Sequence, residues 1–469
     1  RSARRLSAGQ AGAKAPAGHD FATWIFDEVQ SRPDESQLPR VPRSHLVEVA
    51  KVPHLLEKLL LMGFLLCFDI LLHELSFTPL QVARALPKLL ARGLANLGLV
   101  GRAPEQAGEA RPVLSVTEQG DLIRLTLLVL NVALILVCFD VSWTYHYIRG
   151  ESFLKLYVIF NMLEMFERWC RSVGVDLFDL VIASVRHPWR SLLVKCGTTL
   201  IYCFGHSTMH LVRILLLNVA INTSSNAVFL IIVTNNFGEI KSTVFKRYEA
   251  KSLFPIITSD IVERFYLLMD IIFVLARISI STHSGAFSRA DVTFWIFLLV
   301  ILELGTDWIK FCLIMKFSDL PASTLEIYKE VLIADVLLCR SPCVGAMGTG
   351  HTAEAGAASV LKDKDKASTA PAVPFRGIHS FSHCLQRRLG FSGVPMTTIL
   401  VFHLVMLARA PCSVELRWPR ATFVVFAMAS FVLCLLAKIL LGAIVLGFAA
   451  RRRSRIPRGL ELFQKIKSL

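Results

Sequence analysis

Ionisable residues inside apolar stretches are where chemistry would sit in this sequence. A charge at the centre of a bilayer is unfavourable by roughly 2.5–3.5 kcal/mol even on the most lenient insertion scale. Glu303, Asp307 and Lys310 recur at i, i+4 and i+7 in the apolar run 293–315, so they form one polar stripe on a helix. Asp270 and Arg277 share a face of the preceding apolar segment, 265–282, and Arg213 adds a further cation. Two uses fit such a set: a path for an ion or substrate between helices, or pairs that fix the bundle or grip a partner subunit's helix. Pairing is the commoner use. No inverted repeat or Gly/Pro-broken helix pair of the transporter kind is visible, and Lys310 could also snorkel to the interface.

His206 and His210 (HSTMH) stand i,i+4 in another apolar stretch, a spacing that puts two imidazoles on one helix face for a metal. His379 and His383 (HSFSH) repeat the pattern. A membrane metal-dependent enzyme would need further clustered histidines, and an isolated pair usually packs or hydrogen-bonds between helices. No metal or cofactor is therefore expected. Asn222-Thr223-Ser224 is a glycosylation sequon, usable only if that apex is luminal. Nucleophile elbow, phosphate-binding Gly loop and protease motif are all missing, which predicts a protein that is not an enzyme.

The elements that position these residues follow from composition. Hydrophobic residues make up 54% of the 469 and charged ones 19%, and the mean hydropathy is +0.54. Soluble domains run nearer 45–50% apolar and about 25% charged. The fold class predicted is all-α: a polytopic helical membrane protein with about six to eight membrane segments and interfacial amphipathic helices. Lys and Arg give a net charge of +15, but they cluster beside apolar segments, as in 241–251 and 451–455. That distribution fits a lipid bilayer surface as partner and no nucleic acid, and no small-molecule substrate is identified. Cys67, Cys138, Cys203 and Cys434 lie inside apolar segments as small core residues.

Along the chain, 1–54 reads as a disordered basic leader, 55–338 as the main transmembrane block and 339–391 as a flexible cytosolic linker. A C-terminal pair of membrane segments, 392–450, precedes a basic cytosolic tail, 451–469. Within the main block, 55–75 is the first apolar run. Residues 79–98 form a basic amphipathic helix with Arg84, Lys88 and Arg92 in register, kinked at Pro87. The run 198–234 accommodates one tilted span plus a re-entrant piece or a short hairpin, and clear spans are expected at 265–282 and 293–315. The positive-inside rule places 241–264, 316–394 and 451–469, and both termini, in the cytosol. The basic stretch 84–92 then falls on the luminal side, which conflicts with the same rule unless the first run is re-entrant. Opening on Arg1 rather than Met, the chain reads as part of a longer one with room for an upstream targeting signal.

One exit from the apolar sequence stands out. Asn235, Asn236, Phe237, Glu239, Lys241, Phe245, Lys246 and Arg247 lie in NNFGEIKSTVFKRYE (235–249), directly after an apolar run. They read as a cytosolic docking segment, with the intramembrane charges as further contact elements. The motifs LNVAINTSSNAVFLIIVTNNFGEIKSTVFKRYE (217–249), HYIRGESFLKLYVIFNMLE (146–164), SDIVERF (259–265) and ELGTDWIKFCLIMKFSDLPASTLEIYKEVLIADV (303–336) carry a resemblance. EKLLLMGFLLCFDILL and RRLGFSGVP (387–395) agree more loosely. Together they resemble the eukaryotic membrane family of the transmembrane anterior posterior transformation protein, also called cytomegalovirus gH-receptor-like. The resemblance implies a multi-pass endoplasmic reticulum membrane protein, a SUN-domain partner, and roles in protein folding or quality control and, in animals, cilium formation and development. It supplies no catalytic residues. The reading is a non-enzymatic scaffold, with a transporter or channel using Glu303, Asp307, Asp270 and Arg277 as the alternative.

Overall fold

Apolar runs with helical periodicity, few internal glycines and well-formed caps build helices throughout. A computed structural model describes residues 43–96, 115–186, 188–222, 227–281, 289–338, 382–409 and 420–452. The expected leader up to 42, most of the linker (339–381) and the tail from 453 lie outside the described residues. Every regular element among those described is helical, as predicted.

In chain order these are α1 (Arg43–Leu72), a π-helical turn (His73–Phe77), α2 (Thr78–Asn96), α3 (Val116–Cys138), α4 (Val141–Gly150), α5 (Phe153–Ala183) and α6 (Trp189–Asn222). They are followed by α7 (Ala227–Thr243), α8 (Ala250–Ser281), α9 (Arg289–Phe317), α10 (Ser323–Leu338), α11 (Ser382–Leu389), α12 (Gly393–Arg409) and α13 (Arg420–Arg452).

Local chemistry sets several boundaries. Ser115 and Glu118 form a reciprocal capping box at the start of α3: the Glu118 N–H donates to Ser115 Oγ at 3.2 Å and the Ser115 N–H to Glu118 Oε2 at 2.9 Å. Asp140 caps α4 by accepting from the Ser142 and Trp143 amides at 2.9 and 3.2 Å. Gly390 ends α11 at φ 66°, and the Phe391 amide donates back to the Gln386 carbonyl at 3.2 Å, a Schellman closure that turns the chain into α12. The first apolar run and the basic amphipathic segment join through the π turn, and α2 continues across Pro87.

Three helical stretches are long and apolar enough to cross a bilayer by composition: Glu118–Cys138, Trp189–Val219 and Ala427–Arg451. α8 and α9, expected as clear spans, are not among these three, and the side chains of 277–281, 289–292 and 295 lie outside the described residues.

The described residues from Val49 on form one compact unit in which α8 is deeply buried. Leu253, Ile257, Val262, Phe265, Tyr266 and Val274 repeat at helical spacing along α8 and are fully buried. Phe265 meets Phe64 of α1 and Phe391 edge-on, each at 5.3 Å between ring centres. Gly63 lets α1 approach α8 closely: a Cβ there would overlap Ile261, whose Cγ2 and Cγ1 would lie at 2.7 and 2.9 Å. Gly63→Ala is expected to destabilise the fold by about 1–3 kcal/mol through overpacking. Thermal unfolding of the purified protein checks this, and adding Ile261→Val should recover part of the loss.

Candidate functional site

Charges buried among apolar helices must find partners, and here they find one another. Lys310 of α9 is 1% exposed, and its Nζ lies 2.7 Å from Asp260 of α8, 2.9 Å from Asp307 and 3.1 Å from Glu239 of α7. Arg264 of α8 reaches Asp307 at 2.6 Å and Glu57 of α1 at 2.9 Å, and the indole N–H of Trp308 donates to the same Glu57 at 2.8 Å. One layer further along the bundle, Arg213 of α6 pairs with Glu167 of α5 and, at 3.2 Å, with Asp270 of α8. Arg171 joins Glu167 at 3.8 Å and donates to the Ser259 carbonyl at 3.0 Å. Six helices are thereby cross-linked by charge, in an environment where each pair is electrostatically stronger than in water.

The carboxylates outnumber the cations. Oxygens of Glu239, Asp260 and Glu263 converge within 4.8 Å of one another, an arrangement that could hold a cation. The ammonium of Lys310 already takes that role for Glu239 and Asp260. Glu263 and Glu303 have no cation within ion-pair distance among the described residues, and both line a small cavity of about 50 Å³ with Glu164, Arg213, Asn236 and Asp270.

A second ionic group ties the π turn to the C-terminal helices. Lys438 of α13 and Asp69 of α1 are both fully buried, with Nζ 2.6 Å from Oδ1 and donating to the Asp69 carbonyl at 2.9 Å. Glu74, in the π turn, accepts from Arg124 of α3 at 3.4 Å, Gln386 of α11 at 3.2 Å and Thr78 at 3.2 Å. Single π turns inside α-helices are frequent at functional sites. Exposed pairs contribute far less: Lys155 and Glu151 are 2.8 Å apart between α4 and α5, and the lysine's hydrogen bond holds the Glu151 carboxyl below its ordinary range.

His206 and His210 do come together, with Nε2 atoms 3.1 Å apart. The Tyr202 hydroxyl donates to the Cys170 carbonyl at 2.9 Å, so its oxygen accepts from His206 Nδ1 at 3.0 Å. His206 is then the Nδ1–H tautomer, and His210 Nε2–H donates to His206 Nε2. That polar chain ties α5 to α6.

In the proposed docking segment, Asn236 is buried on α7 and its amide meets Thr306 Oγ1 at 3.4 Å, while Glu239 points inward to Lys310. Phe237 and Phe245 are 68% and 78% exposed, and Lys241, Lys246 and Arg247 are exposed beside them. The side chains of Asn222, Asn235, Arg277, His379 and His383 lie outside the described residues. Glu57, Arg264, Asp260, Glu167 and Arg171 complete the network without having been singled out as site residues. Their signal was the charge excess in and beside the apolar runs.

The family described as "Eukaryotic membrane protein family" matches residues 114–454. The chain belongs to that family. Among curated relatives, the family member "Transmembrane anterior posterior transformation protein 1 homolog" of Danio rerio is 31% identical over 309 residues, covering 64% of this chain and 52% of the relative. Its namesake in Homo sapiens is 30% identical over the same length and shares. "Endoplasmic reticulum membrane protein 65" of Schizosaccharomyces pombe is 28% identical over 315 residues, 63% of this chain and 48% of the relative. The chain spans about half the length of the curated relatives it matches. No solved structure matches.

Proposed function

We propose that this family member is a non-enzymatic endoplasmic reticulum membrane protein that docks another membrane protein on the end of α7 and the turn that follows it. The observation that carries this is the two-sided character of 236–247. Asn236 and Glu239 anchor it inward to α9, while Phe237, Phe245 and the adjoining cations project outward. Exposed aromatic and Arg side chains on a pre-organised support are the groups that dominate protein interfaces. The name of the fission yeast relative supports the compartment. The family resemblance suggests a SUN-domain partner and a process in protein folding or quality control, with cilium formation and development in animals. Charge asymmetry supports a cytosolic position for this face and for both termini of a multi-pass chain.

A photocrosslinking residue at Phe245, in native membranes, is expected to capture one membrane protein in equal ratio. Phe245→Ala with Arg247→Ala should lower capture by a crosslinker at Phe237 at least tenfold without shifting thermal unfolding. Undiminished capture by that double variant would sink the reading.

One observation favours transport as a second reading: Glu263 and Glu303 line a small cavity and have no cation within ion-pair distance among the described residues. A cation flux in proteoliposomes that Glu303→Gln abolishes would support it. Asp270 and Asp307 are less suited to a path, since Arg213, Arg264 and Lys310 hold them.

A further inference from the structure

Between α1, α8 and α9 lies a groove of about 320 Å³, at the small end of the roughly 300–1,000 Å³ range of ligand pockets. Its walls are aliphatic and aromatic, among them Leu61, Phe64, Leu268, Ile271 and Val300. Leu61 and Leu268 are also exposed on the outer surface, so the groove is open on one side. Polar side chains enter at three positions only among the described lining: Glu57, Arg264 and Glu303. From Arg264 to Ile271 the α8 wall runs about 10 Å at ~1.5 Å per residue, from a charged end to an apolar one.

Two charged groups at this groove are incompletely used. Arg264 spends Nε on Asp307 and Nη1 on Glu57, but its buried Nη2 has no hydrogen-bond partner among the described residues. Glu303 has no cation within ion-pair distance there. An orphaned guanidinium donor and an unpaired carboxylate on one groove are complementary to a zwitterion rather than to a single charge.

We propose that the groove binds one acyl chain of a zwitterionic phospholipid, its phosphate pairing with the Arg264 guanidinium and its ammonium pairing with Glu303. The chain lies against Phe64, Ile271 and Val300. An anionic lipid satisfies the arginine but meets Glu303 and Glu57 with like charge. A partner's apolar helix fills the walls and leaves both charged groups unmatched.

The test uses the full chain in nanodiscs containing phosphatidylethanolamine or phosphatidylglycerol with a diazirine on the acyl chain, and maps labelled peptides. Phosphatidylethanolamine is expected to label the peptides of Leu61 and Leu268 at least five times more than phosphatidylglycerol does. Glu303→Gln should lower that labelling about tenfold, the loss of one charge-assisted contact. Leu268→Trp, on the open wall, should block it while labelling of α13 stays unchanged, which keeps the proposal testable if Glu303→Gln misfolds. Equal labelling by the two lipids, labelling untouched by both variants, or a crosslink from the groove to another protein overturns the proposal.

Discussion

Lys310→Met is expected to be the most damaging single substitution in the chain. The side chain is almost fully buried and its ammonium serves Asp260, Asp307 and Glu239 together. Met keeps the length and removes the charge, so packing is nearly preserved and the loss is electrostatic. Asp307 retains Arg264, and Glu239 retains the more distant Arg168 at 3.9 Å, but Asp260 is left without a cation among the described residues. Removing one partner of a buried pair destabilises by about 3–5 kcal/mol, and three acids on one lysine place this substitution at the upper end. The measurement is thermal unfolding in nanodiscs beside the yield of monodisperse protein. Lys310→Arg should fall between the two, because it restores charge in a larger head.

Lys438→Met should come second, for a related reason. Neither Lys438 nor Asp69 reaches the surface, and the lysine holds both the carboxylate and the backbone carbonyl of Asp69. Met removes the ammonium that neutralises a carboxylate inside the core, again at about 3–5 kcal/mol. Its consequence is local as well as global, since the pair joins α13 to the first helix. Earlier protease cutting of α13 than of α8 is the expected pattern. Pairing it with Asp69→Leu removes both charges and should return most of the stability, as hydrophobic replacement of whole buried pairs does in other proteins. Failure of that rescue would mean the pair does more than balance itself.

What the sequence shows of this arrangement is what is local. The stripe 303, 307, 310 is visible because helical periodicity relates positions a few residues apart. So is the His206–His210 pair, and composition alone announces an all-helical membrane protein. The partners are invisible for the converse reason. Arg264 and Asp260 precede an apolar segment and read as flanks, Glu57 reads as the start of the first apolar run, and Lys438 meets Asp69 across 369 positions. Glu303 shares the stripe with Asp307 and lines both cavities, yet no cation lies within ion-pair distance of it among the described residues. Which residues face each other depends on the register between helices, and no local signal encodes it. Glu239 shows the same limit. Its sequence context is a basic membrane exit, but α7 runs to Thr243 and turns the carboxylate inward.

The account holds that the buried ionisable residues are a mutually paired frame that presents an outer docking surface. Thermal unfolding of Lys310→Met combined with Asp260→Asn, beside each single variant, tests that most directly. The double variant removes one cation and the one carboxylate of its group that has no other cationic partner, so the remaining acids keep theirs. Coupling of about 0.5–3 kcal/mol is the expectation, with the double variant unfolding well above Lys310→Met alone. Additive losses, or a Lys310→Met protein as stable as the wild type, would contradict it.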